Sequence, residues 1–250
     1  MNKDLPGKSR LHVIRRASLA FAAFLLASLA ARADSPDRMI EIRAQFMRAT
    51  KAQMAEAFKM AGISESSAMA LSPAQFEALK SQLKERKMDF FSDLRAITSD
   101  GHHAAVDAVR EIRYPTEYVP SEKEPGKSVP TAFEMRNAGV ELEFEPVIGP
   151  NDLIDLTIQP TVTTFLGFVD YSSAKTAHPV DQASALDELL KAPLSEGGIW
   201  QPIFSTFKIT TSVTLKNADT LCFEGRQEPA IKSLDPQVFV FITAKVVTPN

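Results

Sequence analysis

Apolar and polar residues alternate along two neighbouring stretches of the chain, on either side of the turn Gly149–Asp152. The first stretch has apolar residues on one face and acidic residues on the other: Val140, Leu142 and Phe144 against Glu141, Glu143 and Glu145. The second has the same pattern: Ile154, Leu156 and Ile158 against Asp155, Thr157 and Gln159. A period of two is typical of a β-strand with one buried and one solvated face. The pattern therefore predicts two strands of one sheet.

Similar patterns predict further strands, at Arg38–Met47, Met88–Thr98, Ala104–Tyr114, Gln201–Leu215, Thr220–Glu224 and Gln237–Val247. The first of these also fits a helix. Pro115 is expected to end the strand before it, and Pro120–Pro130 has the composition of a surface loop. The turn Lys216–Asp219 is expected to join its two flanking strands into a hairpin. The last strand is apolar on both faces, which predicts a central or covered position.

Two helices are predicted in the first third of the chain. Ser72 is a good N-cap, Pro73 suits the first helical position, and Gln75 completes a capping box. Three apolar residues then form one stripe at helical spacing: Phe76, Leu79 and Leu83. An earlier helix is expected at Lys51–Met60, and the small, polar stretch Ser64–Ala70 is expected to be a loop.

The first 33 residues have the pattern of a signal peptide. A basic segment precedes the apolar run Ala17–Leu29, which is too short to span a bilayer comfortably. Ala31-Arg32-Ala33 fits the small-x-small pattern of signal peptidase cleavage. We expect cleavage after Ala33, which leaves one domain at residues 34–250; an uncleaved anchor is the alternative.

The charge of the remaining chain argues against nucleic acid as a partner. Of the 28 Lys and Arg residues and the 31 Asp and Glu residues, six basic and one acidic precede residue 34. The rest therefore carries 22 basic and 30 acidic residues, a net charge of −8. Nucleic-acid-binding domains are usually basic.

The paired strands carry a sequence similarity to a known family. The pattern G-V-x-L-x-F-x-P from Gly139, followed by I-D-L-x-I-x-P from Ile154, resembles the C-terminal domain of bacterial secretins. These are the ring-forming outer-membrane proteins of type II and type III secretion and type IV pilus systems. Further segments resemble the family in the same order: Leu71–Lys87, Ala104–Tyr118, Gln201–Gly225 and Val238–Pro249. The resemblance implies strands that neighbouring copies complete as a shared barrel.

The sequence departs from the family pattern at several points. The family's glycine in the turn after Leu215 is Ala218 here, and Arg226–Pro236 is shorter than the usual glycine- and proline-rich segment. Gly167–Trp200 falls where the family has its gate and membrane-tip hairpins, but it is short and polar, with a predicted helix at Ala183–Leu190. We expect neither the periplasmic ring domains nor the pilotin-binding tail of a full secretin.

Candidate chemical sites are few. Cys222 is a single cysteine and cannot form an internal disulfide; a buried apolar role, an intermolecular bridge and a reactive thiol remain open. His102 and His103 are adjacent and suit a solvent loop better than a metal site. The row Glu141, Glu143 and Glu145 lacks the loop geometry of calcium motifs, which favours a solvated face or the lining of a ring. We predict no catalytic, cofactor-binding or metal-binding residue.

Together these observations predict an exported α+β protein, mostly β, with a secretin-like sheet core and one or two packed helices. The expected function is that of a non-enzymatic component of outer-membrane protein secretion or pilus assembly. Its expected partners are copies of itself or other components of such a system, in the periplasm or outer membrane. The alternative is a soluble periplasmic β-rich binding or accessory module that forms no pore.

Overall fold

The computed structural model describes residues 38–66, 68–172, 190–191, 193–227 and 237–248. The predicted signal peptide at residues 1–33 and nearly all of the predicted helix Ala183–Leu190 lie outside these ranges. The described residues contain two complete helices, α1 (Lys51–Met60) and α2 (Pro73–Glu85). They also form ten strands: β1 (Met39–Ala49), β2 (Ala68–Leu71), β3 (Phe90–Ser99), β4 (Ala104–Pro120), β5 (Ser128–Ile148), β6 (Ile154–Asp170), β7 (Trp200–Lys208), β8 (Thr211–Leu215), β9 (Thr220–Gly225) and β10 (Gln237–Val247). The mostly-β prediction is confirmed.

The strands form two antiparallel sheets within the unit Met39–Val247. Sheet A has the order β2-β9-β10-β1-β3. Sheet B has the order β4-β5-β6-β7, and β8 also pairs with β6. β10 lies between β9 and β1, so the prediction of a central last strand is correct.

Two apolar clusters cover the two faces of sheet A. One face packs against sheet B, through residues such as Ile42 and Val240 on one side and Leu142 and Ile158 on the other. The opposite face packs against α1 and α2, with Phe241 at its centre. Residues of β10 are apolar on both faces because both faces of this strand are covered. No helix of the described residues is long and apolar enough to cross a membrane.

Both helices begin at the residues that the sequence predicted, Lys51 and Pro73. Ser72 accepts from the Gln75 N–H, and the Gln75 side chain accepts from the Ser72 N–H, which completes the predicted capping box. Thr50 and Gln53 make the same reciprocal pair at the start of α1. The predicted stripe of α2 is buried against sheet A: Phe76, Leu79 and Leu83.

The alternating pattern of β5 and β6 is confirmed. Val140, Leu142 and Phe144 are buried, and so are Ile154, Leu156 and Ile158. The two strands pair antiparallel across a 3-10 turn at Pro150–Asp152. The acidic row of β5 lies on the other face of sheet B, opposite Thr157, Gln159 and Thr161 of β6.

Pro115 does not end β4, so that prediction is wrong. The strand continues to Pro120 beside a β5 that begins at Ser128. The register shifts around Thr116, between Pro115 and Glu117, and β5 is the one partner of β4 among the described strands. A proline is tolerated in an edge strand or at a bulge, because its missing N–H is not needed there.

The predicted strand Gln201–Leu215 is two strands, β7 and β8. Both pair with β6, and the break at Ile209 and Thr210 lies opposite Gln159 and Pro160. Pro160 has no N–H for the ladder, which interrupts the pairing at this point. The predicted hairpin with Thr220–Glu224 is also wrong, because β9 pairs with β10 and β2 in sheet A. The turn Lys216–Asp219 therefore carries the chain from one sheet to the other.

Ser64–Ala70 is only partly a loop, which corrects the prediction. Its last residues belong to β2, a four-residue strand that pairs with β9 at the edge of sheet A. The stretch has no alternating pattern because β2 is short and only Leu71 is buried in it.

Candidate interaction surface

Sheet B is longer than the part of it that sheet A covers. We call the uncovered part the distal sheet, defined by residues 107–120 of β4, 128–139 of β5, 163–170 of β6 and 200–206 of β7. Among the described residues, neither apolar cluster includes a member of the distal sheet. Sheet A, the two helices and the rest of sheet B form the proximal block. The distal sheet therefore extends beyond the core.

The β4–β5 hairpin of the distal sheet exposes large apolar side chains. Met135 is 64% exposed and Phe133 is 45% exposed, two residues apart on β5. Val119 and Val129, which pair across the hairpin, are also exposed. The Arg113 guanidinium lies 4.3 Å from the centre of the Phe133 ring. Exposed apolar groups close together are typical of an interaction surface.

Gly139 marks the point where β5 leaves the proximal block. Its φ of +145° is one that residues with a side chain rarely adopt. A Cβ atom here would lie 2.8 Å from the Val109 Cα and closer still to the Ala108 carbonyl oxygen. Only glycine allows the β4 backbone to approach β5 this closely. This is the glycine that opens the G-V-x-L-x-F-x-P pattern.

A cleft of about 560 Å³ opens beside Gly139, between β1 and β3 of sheet A and the distal sheet. Arg48 and Arg110 line it, together with Phe91 and Phe165. The Arg48 guanidinium donates to Thr164 Oγ1 at 2.8 Å and lies 4.6 Å from the centre of the Phe91 ring. Burial lowers the pKa of Arg48 from its usual value.

The outer strands of the distal sheet contact each other at the far end. The Tyr118 hydroxyl of β4 donates to the Trp200 carbonyl of β7 and accepts from the Trp200 N–H, both at 2.8 Å. The Ser128 N–H donates to the Gly197 carbonyl at 2.7 Å. We call these contacts the edge clasp. Burial raises the pKa of the Tyr118 hydroxyl.

A buried carboxylate lies next to the edge clasp. Asp170, 5% exposed, accepts from the N–H and the hydroxyl of both Ser172 and Ser195. Burial raises the pKa of Asp170, but these four hydrogen bonds outweigh burial and hold the pKa far below its usual value. The group ties the end of β6 to the segment that leads into β7.

The residues considered for chemistry are not brought together. His103 Nε2 lies 3.8 Å from a Glu143 carboxylate oxygen, and His102 Nδ1 lies 3.0 Å from the Asp100 carbonyl oxygen. No group of three potential metal ligands occurs in the described part of the chain. Cys222 is buried among the helix-side apolar cluster, and burial raises the pKa of its thiol to about 12. These features fit a buried apolar role for Cys222 and a solvated role for the histidines.

Sequence reasoning did not find the edge clasp or Asp170. Tyr118 and Trp200 are 82 positions apart and carry no local motif. Asp170 followed by Ser172 is a local signal for a side chain that accepts from the backbone, but such pairs are common in turns. Trp200 and Phe204 are both half-buried in the distal sheet.

Comparison with known proteins supplies the family. The family model described as bacterial type II and III secretion system protein, Secretin, matches residues 83–228. The match includes β3 to β9 and the whole distal sheet. The chain belongs to the secretin family. The predicted resemblance is therefore confirmed. Curated proteins give no match.

Solved secretin structures are similar to the chain at low sequence identity. The type II secretin GspD of enteropathogenic Escherichia coli is 11% identical, with a TM-score of 0.40, over 91% of this chain and 74% of that one. The type IV competence pilus secretin PilQ of V. cholerae is 14% identical, with a TM-score of 0.41, over 92% and 65%. The Salmonella SPI-1 type III injectisome secretin InvG is 11% identical, with a TM-score of 0.35, over 92% and 70%.

Proposed function

We propose that this secretin-family chain is a non-enzymatic structural component of an outer-membrane protein secretion or pilus assembly. It acts as a homo-oligomer or as an accessory to one, with copies of itself or other components of the system as partners. The proposal involves no cofactor, metal ion or nucleic acid. Export through a signal peptide at residues 1–33, to the periplasm or outer membrane, is part of it.

The observation that carries this proposal is the distal sheet. Its outer strands, β4 and β7, each pair with one neighbour among the described strands, and it exposes apolar side chains on the β4–β5 hairpin. An edge strand presents unpaired N–H and C=O groups to any strand that approaches it. A sheet with two such edges is suited to completion by neighbouring copies.

A second candidate is a soluble periplasmic module that forms no pore. The edge clasp favours it, because Tyr118 and Trp200 join the two outer strands within one chain. In this case the distal sheet is complete without neighbours, and its exposed apolar side chains serve a different partner.

Cell fractionation and light scattering distinguish the two. The full-length chain is produced in a bacterial host that has an outer membrane, and its mass is measured with and without detergent. We expect multimers in the outer-membrane fraction that resist heat and detergent, with an N-terminus at Asp34. A soluble periplasmic monomer under all conditions contradicts the oligomer and supports the binding module.

A pair of variants tests the surface itself. Phe133→Ser is expected to abolish the multimers, because it removes an exposed apolar group from the distal sheet. Ile97→Ser is the matched control, since Ile97 is similarly exposed but lies on β3 of sheet A. Equal loss of multimers in both variants contradicts a role for the distal sheet.

A further inference from the structure

The edge clasp joins strand edges that lie on opposite sides of sheet B. β4 and β7 are separated in the sheet by β5 and β6, so they meet only because the distal sheet curls. The register shifts around Thr116 in β4 and between Phe165 and Gly167 in β6. Bulges of this kind bend a strand and increase its twist. Tyr114 then packs against Phe204 of β7, with ring centres 6.1 Å apart.

The Tyr118 hydroxyl occupies the position that the backbone of an incoming strand would take beside Trp200. In an antiparallel ladder, the N–H and C=O of one residue bond to the same neighbouring strand. Both groups of Trp200 bond to the Tyr118 hydroxyl, so they are not available to a neighbouring strand. Two residues along, Pro202 has no N–H to offer at all. A neighbouring chain therefore finds the start of this edge blocked.

The edge clasp is also held from outside the ladder. Lys127, in the β4–β5 turn, pairs with Glu124 at 2.8 Å and with Glu196 at 3.4 Å. The Ser128–Gly197 hydrogen bond lies beside this pair. The hydrogen bonds and ion pairs of the clasp are few, and the Tyr114–Phe204 packing that also joins β4 to β7 is outside both apolar clusters, so the clasp can open without disturbing the proximal block.

We propose that the edge clasp is an autoinhibitory contact: it keeps the single chain from pairing with its neighbours, and it opens when copies assemble. This inference rests on the proposed function, because it concerns the same β4 and β7 edges. Assembly exchanges the Tyr118–Trp200 hydrogen bonds within one chain for ladder hydrogen bonds between chains.

The test compares Tyr118→Phe with Tyr171→Phe in the full-length chain. Tyr118→Phe removes the bridging hydroxyl and keeps the ring. Tyr171→Phe makes the same chemical change at an exposed position whose hydroxyl has no partner among the described residues. Each chain is diluted from urea into mild detergent, and the rate of multimer formation is followed by light scattering. We expect Tyr118→Phe to assemble about 5- to 30-fold faster, the factor for a loss of one or two net hydrogen bonds.

Hydrogen exchange shows whether the variant still folds. The Trp200 amide is expected to lose its protection in monomeric Tyr118→Phe, while amides of β10 keep theirs. If the wild type assembles and Tyr118→Phe assembles no faster, the autoinhibitory role is overturned and the proposed function stands. If neither chain assembles, the homo-oligomer of the proposed function fails, and this inference with it. If only Tyr118→Phe assembles, the inference is supported in its strongest form.

Discussion

In the proximal block, sheet A is covered on both faces, and the largest fully buried side chains lie there, among them Phe46, Phe144 and Phe241. In the distal sheet, no described member belongs to either apolar cluster, and the contacts include a tyrosine hydroxyl, a buried carboxylate, arginine–phenylalanine stacks and a small group of aromatic rings around Phe204. Apolar burial is the main favourable term in folding. The free energy of unfolding is therefore concentrated in the proximal block.

Substitution of one phenylalanine in each region gives the largest expected contrast. Phe241 is 1% exposed, and the centre of its ring lies 5.6 Å from the ring centres of both Phe76 and Phe90. Phe241→Ala is expected to lower the free energy of unfolding by about 3–5 kcal/mol, because it leaves a cavity. Phe133→Ala, in the distal sheet, is expected to change it by less than about 0.5 kcal/mol.

Urea unfolding of the monomer, followed by circular dichroism, measures both values. Phe241→Leu is the intermediate variant, since it fills part of the cavity, and it is expected to lie between wild type and Phe241→Ala. If Phe241→Ala and Phe133→Ala lower the free energy of unfolding by similar amounts, the distal sheet is part of the same core. The contrast between the two regions is then wrong.

The sequence predicted the proximal block better than the distal sheet. Period-two alternation located β5 and β6, and the Ser72–Gln75 capping box located the start of α2, because each signal is local. The pairing of β9 with β10 and β2 was missed, because nothing in Lys216–Asp219 distinguishes a hairpin turn from a crossing between sheets. That turn has Ala218 at φ +69°, where the family has glycine.

The resemblance covered part of the candidate interaction surface. The family pattern around Gly139 pointed to strands that neighbouring chains complete, and the family match includes them. The extent of the distal sheet was missed, because Pro115 was taken as the end of a strand that continues to Pro120. The edge clasp depends on how far the sheet curls, and this follows from bulges that sequence patterns do not reveal.

The junction between the two regions is tested at Gly139. Gly139→Ala is expected to lower the free energy of unfolding by about 3 kcal/mol, because the methyl group meets the backbone of β4 in a conformation that strains any side chain. Gly126→Ala is the control, since Gly126 also has a positive φ but nothing lies within 4 Å of a Cβ there. It is expected to cost about 1–2 kcal/mol, the conformational cost alone. Equal costs in urea unfolding mean that the close approach of β4 is relieved by a small shift.

The smallest expected effect concerns pH, and it is tested at Asp170 of the distal sheet. The pKa of Asp170 is held far below its usual value by hydrogen bonds from Ser172 and Ser195. Since the unfolded pKa is about 3.9, Asp170 stabilises the folded chain fully above about pH 4. This contribution falls as the pH drops further, towards the folded pKa.

Asp170→Asn is therefore expected to cost about 2 kcal/mol at pH 7, the order of a hydrogen-bonded charge, and less at pH 2.5. Urea unfolding at both pH values measures the difference, and Asp107→Asn, at an exposed position of β4, controls for the loss of one negative charge. The cost is smaller because, at pH 2.5, the wild type has already lost part of the stabilisation that the substitution removes. The free energies of unfolding of the two chains are therefore closer at pH 2.5 than at pH 7. An undiminished cost at pH 2.5 means that Asp170 acts by its shape and hydrogen bonds and that its charge contributes nothing.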